Sequence, residues 1–218
     1  VMGLGWGGFA WIICYFFFYG RSDRLGTVVG MTKRADAVLT GVSARTGLAS
    51  FTFVKLAGST FLLNTTGLAI AVHTIPLLTD TGLSRSDATV VAGMHGIGTI
   101  VGQLISGTFA DRLPGNRLCA AVDTLLIAGC ALLLIPTDSF PLRLFSILCI
   151  GISVGAHTYL IPLLTSRFFG LRAFGKIYGV IASISAVCVG LGPVLAGYIY
   201  DRTLSYDTLL MIGIPAGI

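Results

Sequence analysis

Glutamate is absent from all 218 residues, glutamine occurs once, at Gln103, and charged side chains make up only 11% of the chain. A soluble globular domain carries about a quarter charged residues, so this chain has too little polar surface to face water all round. Cys14, Cys119, Cys130, Cys149 and Cys188 lie inside apolar runs, with no C-x-x-C pair and no His at metal-ligand spacing. That excludes a disulfide framework and a zinc site, and the thiols read as small embedded hydrophobes. No Ser/His/Asp set and no H-E-x-x-H motif occurs, so an enzyme is not expected, nor is a metal or cofactor. No charged n-region precedes the first apolar run, and the chain runs from Val1 to Ile218 within apolar sequence, so a piece of a longer protein is expected.

What is present is apolar sequence, 55% of the residues, arranged in runs of membrane-crossing length. About 20 apolar helical residues cross the hydrocarbon core. Val1–Gly20 supplies one such span, and residues 21–54 follow as a polar linker that carries Arg21, Arg24, Lys33, Arg34 and Arg45. Further spans are expected at about Leu56–Leu78, Ala88–Ala110, Leu118–Pro136, Leu142–Leu164 and Gly175–Tyr200, with a truncated one from Thr208. The fold class is therefore an all-α membrane protein, a polytopic transmembrane helical bundle of adjacent antiparallel helices.

Orientation follows from the distribution of Lys and Arg. With the linker on the cytoplasmic side, inside segments hold Arg21, Arg24, Lys33, Arg34, Arg45, Lys55, Arg112, Arg117, Arg167, Arg172 and Lys176. Outside segments hold Arg85, Arg143 and Arg202. This is a clear positive-inside bias. The net charge of +5 is spread over these loops and forms no single surface, which argues against a nucleic-acid partner and for the lipid bilayer. A multi-pass protein of the cell membrane, inner or plasma, is expected.

The chain also repeats itself. His73-Thr74 followed by Ile75-Pro76-Leu77-Leu78-Thr79 recurs as His157-Thr158 followed by Ile161-Pro162-Leu163-Leu164-Thr165. Gly107-x-x-x-Asp111-Arg112 recurs, in the same order, as Gly197-x-x-x-Asp201-Arg202. Each unit, about 55–136 and 142–218, holds three spans, an odd number, so the second copy runs inverted across the membrane, a symmetry found in secondary transporters.

Several polar side chains within the spans are candidates for a solute or proton path. His95, Thr99, Gln103 and Ser106 form one helical stripe, suited to a water-filled cavity, although the neighbouring Gly98 and Gly102 equally suit close packing. Ser59, Thr66 and His73 share a face, as do Ser146, Ser153 and His157, and Asn64, Thr65 and Tyr159 are further candidates for cavity hydrogen bonds. Histidine titrates near neutral pH, which makes His73, His95 and His157 candidates for a coupling proton. The alternative is a neutral ring bonded to a neighbouring helix. Asp123 is read as pairing with Arg117 or Arg112 near one interface, the alternative being a proton site. Gly190, Gly192, Pro193 and Gly197 interrupt the last full span and mark a candidate kink.

The turn Gly107-x-x-x-Asp111-Arg112, with Gly115 and Arg117, resembles the cytoplasmic loop motif of the major facilitator superfamily, although Pro114 and Asn116 depart from its tail. His73-Thr-Ile-Pro76-Leu-Leu-Thr-Asp80, Phe168-Phe-Gly170-Leu-Arg172-Ala-Phe-Gly175-Lys176-Ile-Tyr178-Gly179 and Gly192-Pro193-x-x-x-Gly197-x-x-x-Asp201 are similar to its monocarboxylate-porter branch, which includes relatives of the oxalate/formate exchanger. The resemblance implies the carboxy-terminal six-helix half of that fold plus one preceding helix, with residues 21–54 as the central cytoplasmic loop. Five further helices and the amino-terminal half of the same transporter are then the missing partner. It also implies secondary active transport of a small solute, possible substrates including organic anions, coupled to protons or to a second solute, and a charge latch at Gly107, Asp111, Arg112, Gly115 and Arg117. Gln103 and Ile181 stand where carboxylate-transporting members carry cations.

Two other classes compete. A membrane haem or redox protein needs histidine ligands, and the three histidines show no in-helix pairing. A seven-span receptor or retinal protein matches the span count, but Lys33, Lys55 and Lys176 all lie at an interface or in the linker and not in mid-span.

Overall fold

The computed structural model describes residues 40–110 and 112–216. The span expected at Val1–Gly20, most of the linker, and Asp111 lie outside the described residues.

Within these residues the chain is a bundle of helices with one isolated bridge. The elements are α1 (Ala44–Leu48), α2 (Phe51–Asp80), α3 (Arg85–Ala110), α4 (Gly115–Leu133), α5 (Phe140–Phe169), α6 (Phe174–Thr203) and α7 (Asp207–Ala216). Four of them, α2, α3, α5 and α6, are long and apolar enough to cross a membrane. The second expected span starts at Leu56, whereas the helix begins at Phe51, because Ser50 caps it by accepting from the Phe53 N–H. That adds a first turn in which the Lys55 ammonium lies 4.8 Å from the centre of the Phe51 ring.

Short turns make successive helices antiparallel, so the bundle has a linker end and a far end. At the linker end Gly41 bridges Gly170 in antiparallel fashion, and the flanking bonds run from Val42 N–H to the Phe169 carbonyl (3.0 Å) and from Leu171 N–H to the Thr40 carbonyl (3.0 Å). Both glycines have positive φ, +143° and +73°, and a Cβ on either would overlap the opposing backbone. The segment leading into α1 is thereby fastened to the α5–α6 turn.

The long helices cross in a reciprocal way: α3 packs along α5, and α6 packs along α2. Each crossing sets a glycine of one helix, α3 or α6, against the backbone of the other, α5 or α2. A Cβ on Gly102 would collide with the Ile152 carbonyl and the Ala156 N–H, and one on Gly192 would reach the Thr65 carbonyl and the Ala69 N–H. The two contacted pairs have the same four-residue spacing, one helical turn. Gly151 and Gly155 of α5 return the contact, facing the carbonyls of His95 and Thr99. Glycine permits this approach because lipid-immersed helices associate through close packing and not through exclusion of water.

Two apolar cores result. One at the far end gathers Ile70, Leu78, Val91, Leu126, Ile147 and Leu210; the other, toward the linker end, gathers Leu160, Leu164, Phe169 and Ile177. α5 contributes to both and is the most buried of the four spans.

Candidate functional site

Between α2, α5 and α6 lies a cleft of 190 Å³ whose walls include Asn64, His157, Thr158, Ile161, Tyr178 and Ser185. Each helix contributes its part by ordinary periodicity: His157 and Ile161 are one turn apart on α5, and Tyr178 and Ser185 are two turns apart on α6. The Asn64 amide donates to the Ser185 hydroxyl at 3.0 Å, tying α2 to α6 across the cleft. His157 is 4% exposed, and its Nε2 is buried with no hydrogen-bond partner. Buried polar groups nearly always have partners, so the unpaired Nε2 of a residue that lines the cleft is unusual. No Lys, Arg or Asp is among the described residues that line the cleft.

The other expected pathway residues divide among different roles. His73 is held at both nitrogens: Nε2 lies 3.1 Å from the Pro193 carbonyl and Nδ1 lies 3.1 Å from the Tyr206 hydroxyl. A carbonyl only accepts, so Nε2 carries the proton there and Nδ1 accepts from Tyr206. Burial, then the neighbouring Tyr200, Asp80 and Asp201, raise the Tyr206 phenol above its usual range, which keeps its O–H available as that donor. Tyr206 also stacks on Tyr200 with centroids 4.5 Å apart. His73 therefore joins α2, α6 and the start of α7 at the far end.

The stripe on α3 does not act as one surface. His95 is half-buried with Nε2 unpartnered, the Thr99 hydroxyl donates to the His95 carbonyl within its own helix (2.9 Å), Gln103 is exposed, and Ser106 is buried. Gly98 and Gly102, beside it, are packed against α5. Ser59 donates to the Leu56 carbonyl of its own helix (3.1 Å), and Thr66 is buried. Ser153 donates to the Val122 carbonyl (2.8 Å) and joins α5 to α4. Of the named candidates, His157 and Asn64 line the cleft; Thr158, Tyr178 and Ser185 complete it without having formed any stripe in the sequence.

At the linker end, the α3–α4 turn is closed by the Arg112 and Leu113 N–H groups on the Phe109 carbonyl, both at 3.0 Å. The Arg112 and Arg117 side chains are exposed, and Gly115 opens α4 against the Leu164 side chain. Gly107 makes only ordinary contact with the Tyr159 ring, so the close helix approach belongs to Gly98 and Gly102. The Arg167 guanidinium donates to the Ala110 carbonyl (2.8 Å), which caps the end of α3 from α5. Asp123 is half-buried and has no arginine beside it, contrary to the pairing expected with Arg117 or Arg112, because both arginines turn outward.

At the far end a larger pocket of 540 Å³ includes Asp80, Asp138, Arg143, Tyr206 and Asp207 in its lining. Its cation is occupied: Arg143, 1% exposed, donates to the carbonyls of Leu133 (2.5 Å), Ile135 (3.1 Å) and Thr137 (3.0 Å). These are orphan carbonyls where α4 ends and the following loop begins, so Arg143 serves as a cap contributed by α5. Within the last full span, Gly192 meets α2, Pro193 offers its carbonyl to His73, and Gly197 lies near the His73 ring.

Apolar helices of spanning length joined by short turns define a multi-pass integral membrane protein, with a polar cleft walled by three of the spans. Residues 56–218 match the model of the Major Facilitator Superfamily, and the chain belongs to that family of transporters. Among curated relatives, monocarboxylate transporter 12 of Rattus norvegicus is 28% identical over 163 residues, covering 73% of this chain and 34% of the relative. Monocarboxylate transporter 12-B of Danio rerio is 31% identical over 165 residues, covering 73% and 34%, and monocarboxylate transporter 9 of Gallus gallus is 36% identical over 115 residues, covering 52% and 22%. The chain thus spans about a third of the length of the longest-matching relatives.

Proposed function

We propose that this chain is the carboxy-terminal half of a secondary active transporter that moves a small organic anion, of the monocarboxylate type, across the cell membrane by alternating access. The amino-terminal half of the same protein is its partner, and the cleft between α2, α5 and α6 is this half's share of the solute path. The observation that carries the reading is the buried, unpartnered His157 on a polar cleft far from either end of α5. The names of the relatives support the solute class.

Proton coupling is the second element of the proposal. His95 and His157 each keep an open buried nitrogen, whereas His73 does not, which makes the first two the carriers favoured by geometry. The turn at Gly107, Asp111, Arg112, Gly115 and Arg117 is proposed as the latch that closes the linker-end face, and Gly192, Pro193 and Gly197 as the point where α6 flexes.

The test is uptake of radiolabelled pyruvate by the full-length protein in proteoliposomes, with and without an imposed pH gradient. Saturable uptake accelerated by an inward proton gradient, and loss of that acceleration in His95→Ala or His157→Ala, is the expected result. Flux equal to that of empty liposomes would refute the reading.

A further inference from the structure

The chemistry of the cleft says which part of the solute this half recognises. We propose that the cleft between α2, α5 and α6 binds an uncharged hydrogen-bonding substituent of the solute, a hydroxyl in particular, with His157 as the specificity-determining residue, and does not bind the carboxylate. This rests on the transport reading for the nature of the solute, but it makes its own claim about recognition.

Three observations support it. First, the cleft offers hydrogen bonds and no fixed charge: Asn64, His157, Thr158, Tyr178 and Ser185 line it, and no Lys or Arg does. A carboxylate brought here would lose its hydration without gaining an ion pair, an unfavourable exchange inside a membrane. Among the described residues, Arg143, Arg167, Arg172 and Lys176 lie toward the ends of the bundle. Arg143 is occupied by three carbonyls, Arg167 caps α3, and Arg172 and Lys176 are exposed beside a separate hollow of 480 Å³ at the linker end.

Second, the available valences suit a hydroxyl. Asn64 donates one amide hydrogen to Ser185 Oγ, which leaves the Asn64 carbonyl as an acceptor and the Ser185 O–H as a donor. Thr158 directs its own O–H to the Val154 carbonyl at 2.9 Å, leaving lone pairs. His157 Nε2 has nothing within hydrogen-bond reach. A group that both donates and accepts satisfies such a set, whereas a methyl or methylene in its place leaves the imidazole unpaired.

Third, the size fits one end of a solute. The volume of 190 Å³ is below the roughly 300 Å³ at which sites for whole small molecules begin. A half-site that takes an uncharged substituent leaves the carboxylate to groups outside these helices.

The experiment uses the full-length protein in two arms with two probes that differ by one oxygen, 4-hydroxybutyrate and butyrate. In the binding arm, the concentration of each probe that gives half of its maximal protection against heat in detergent is measured. In the transport arm, uptake of labelled 4-hydroxybutyrate into proteoliposomes is measured. The proposal expects 4-hydroxybutyrate to act at about tenfold lower concentration than butyrate, the value of one buried hydrogen-bond partner left unmade. In His157→Leu that preference falls toward unity through weaker binding of the hydroxylated probe, while butyrate binds as before. His157→Gln, which restores a polar group, keeps most of the preference, and Ser185→Ala weakens it to a smaller degree.

Equal potency of the two probes, no protection by either, or a preference untouched by His157→Leu would overturn the proposal. Equal weakening of both probes in His157→Leu would assign His157 a purely structural role and overturn it as well. A His157-dependent preference without any uptake would leave this assignment standing and refute the transport reading instead. Uptake without the preference would do the reverse.

Discussion

His73 and His157 are each followed by threonine and, a few residues on, by a Pro-Leu-Leu-Thr segment, yet their surroundings are opposite. His73 is bonded on both nitrogens, to the Pro193 carbonyl and the Tyr206 hydroxyl, and helps tie α2, α6 and α7 together at the far end. His157 sits deeper, on the most buried of the four spans, where it lines a polar cleft with its buried Nε2 unpartnered. The same residue type in the same short motif is bonded on both nitrogens in one helix and keeps an unpartnered Nε2 in the other. Their distances from the helix ends account for the difference. His73 lies two turns from the end of α2, where the α6–α7 turn can supply Tyr206, whereas His157 lies three turns from the end of α5, beyond the reach of any turn.

The contrast is informative only if α5 is held rigidly, because a loose helix would leave nitrogens unpaired without purpose. The largest expected effect tests that point. Gly102→Leu forces a side chain into the backbone of α5 and is expected to cost about 3 kcal/mol or more, seen as loss of monodisperse protein after detergent extraction. Gly93→Leu, at a glycine with open space around its Cβ, is the matched control and should extract normally. Next comes the other support of the far end. Arg143→Met removes the donors from three carbonyls and is expected to lower stability by about 3 kcal/mol, measured by thermal unfolding of the full-length protein in detergent.

Much of this architecture is legible in the sequence, because a membrane span must be a long apolar helix and the charged turns must lie between spans. The ordered recurrence of His-Thr and of Gly-x-x-x-Asp-Arg likewise marks the repeat, and the reciprocal contacts of Gly102 and Gly192 accord with it. The cleft was far less legible. Its polar residues come from three helices, one or two from each, so no single helical stripe announces them; the stripe that was visible, His95 to Ser106, is divided among packing, an internal hydrogen bond and an exposed face. Two arginines have a further role that is illegible for a related reason. Arg143 reads as an outside orientation charge and Arg167 as an inside one, but orphan carbonyls at the ends of α4 and α3 draw the two guanidiniums onto them, and composition carries no trace of that need.

The smaller effects separate the two histidines directly. His73→Leu leaves the Tyr206 hydroxyl and the Pro193 carbonyl without their partner and is expected to destabilise by about 2 kcal/mol, with Tyr206→Phe costing about half as much. His157→Leu removes a buried nitrogen that already lacks a partner, so no comparable loss follows. The most direct measurement is therefore the unfolding temperature of the full-length protein carrying His73→Leu beside that of the protein carrying His157→Leu, without added solute. The account predicts a clear fall for His73→Leu and an unchanged or raised temperature for His157→Leu. A fall in His157→Leu as large as that in His73→Leu would show that His157 is a strut like its counterpart and would contradict the account.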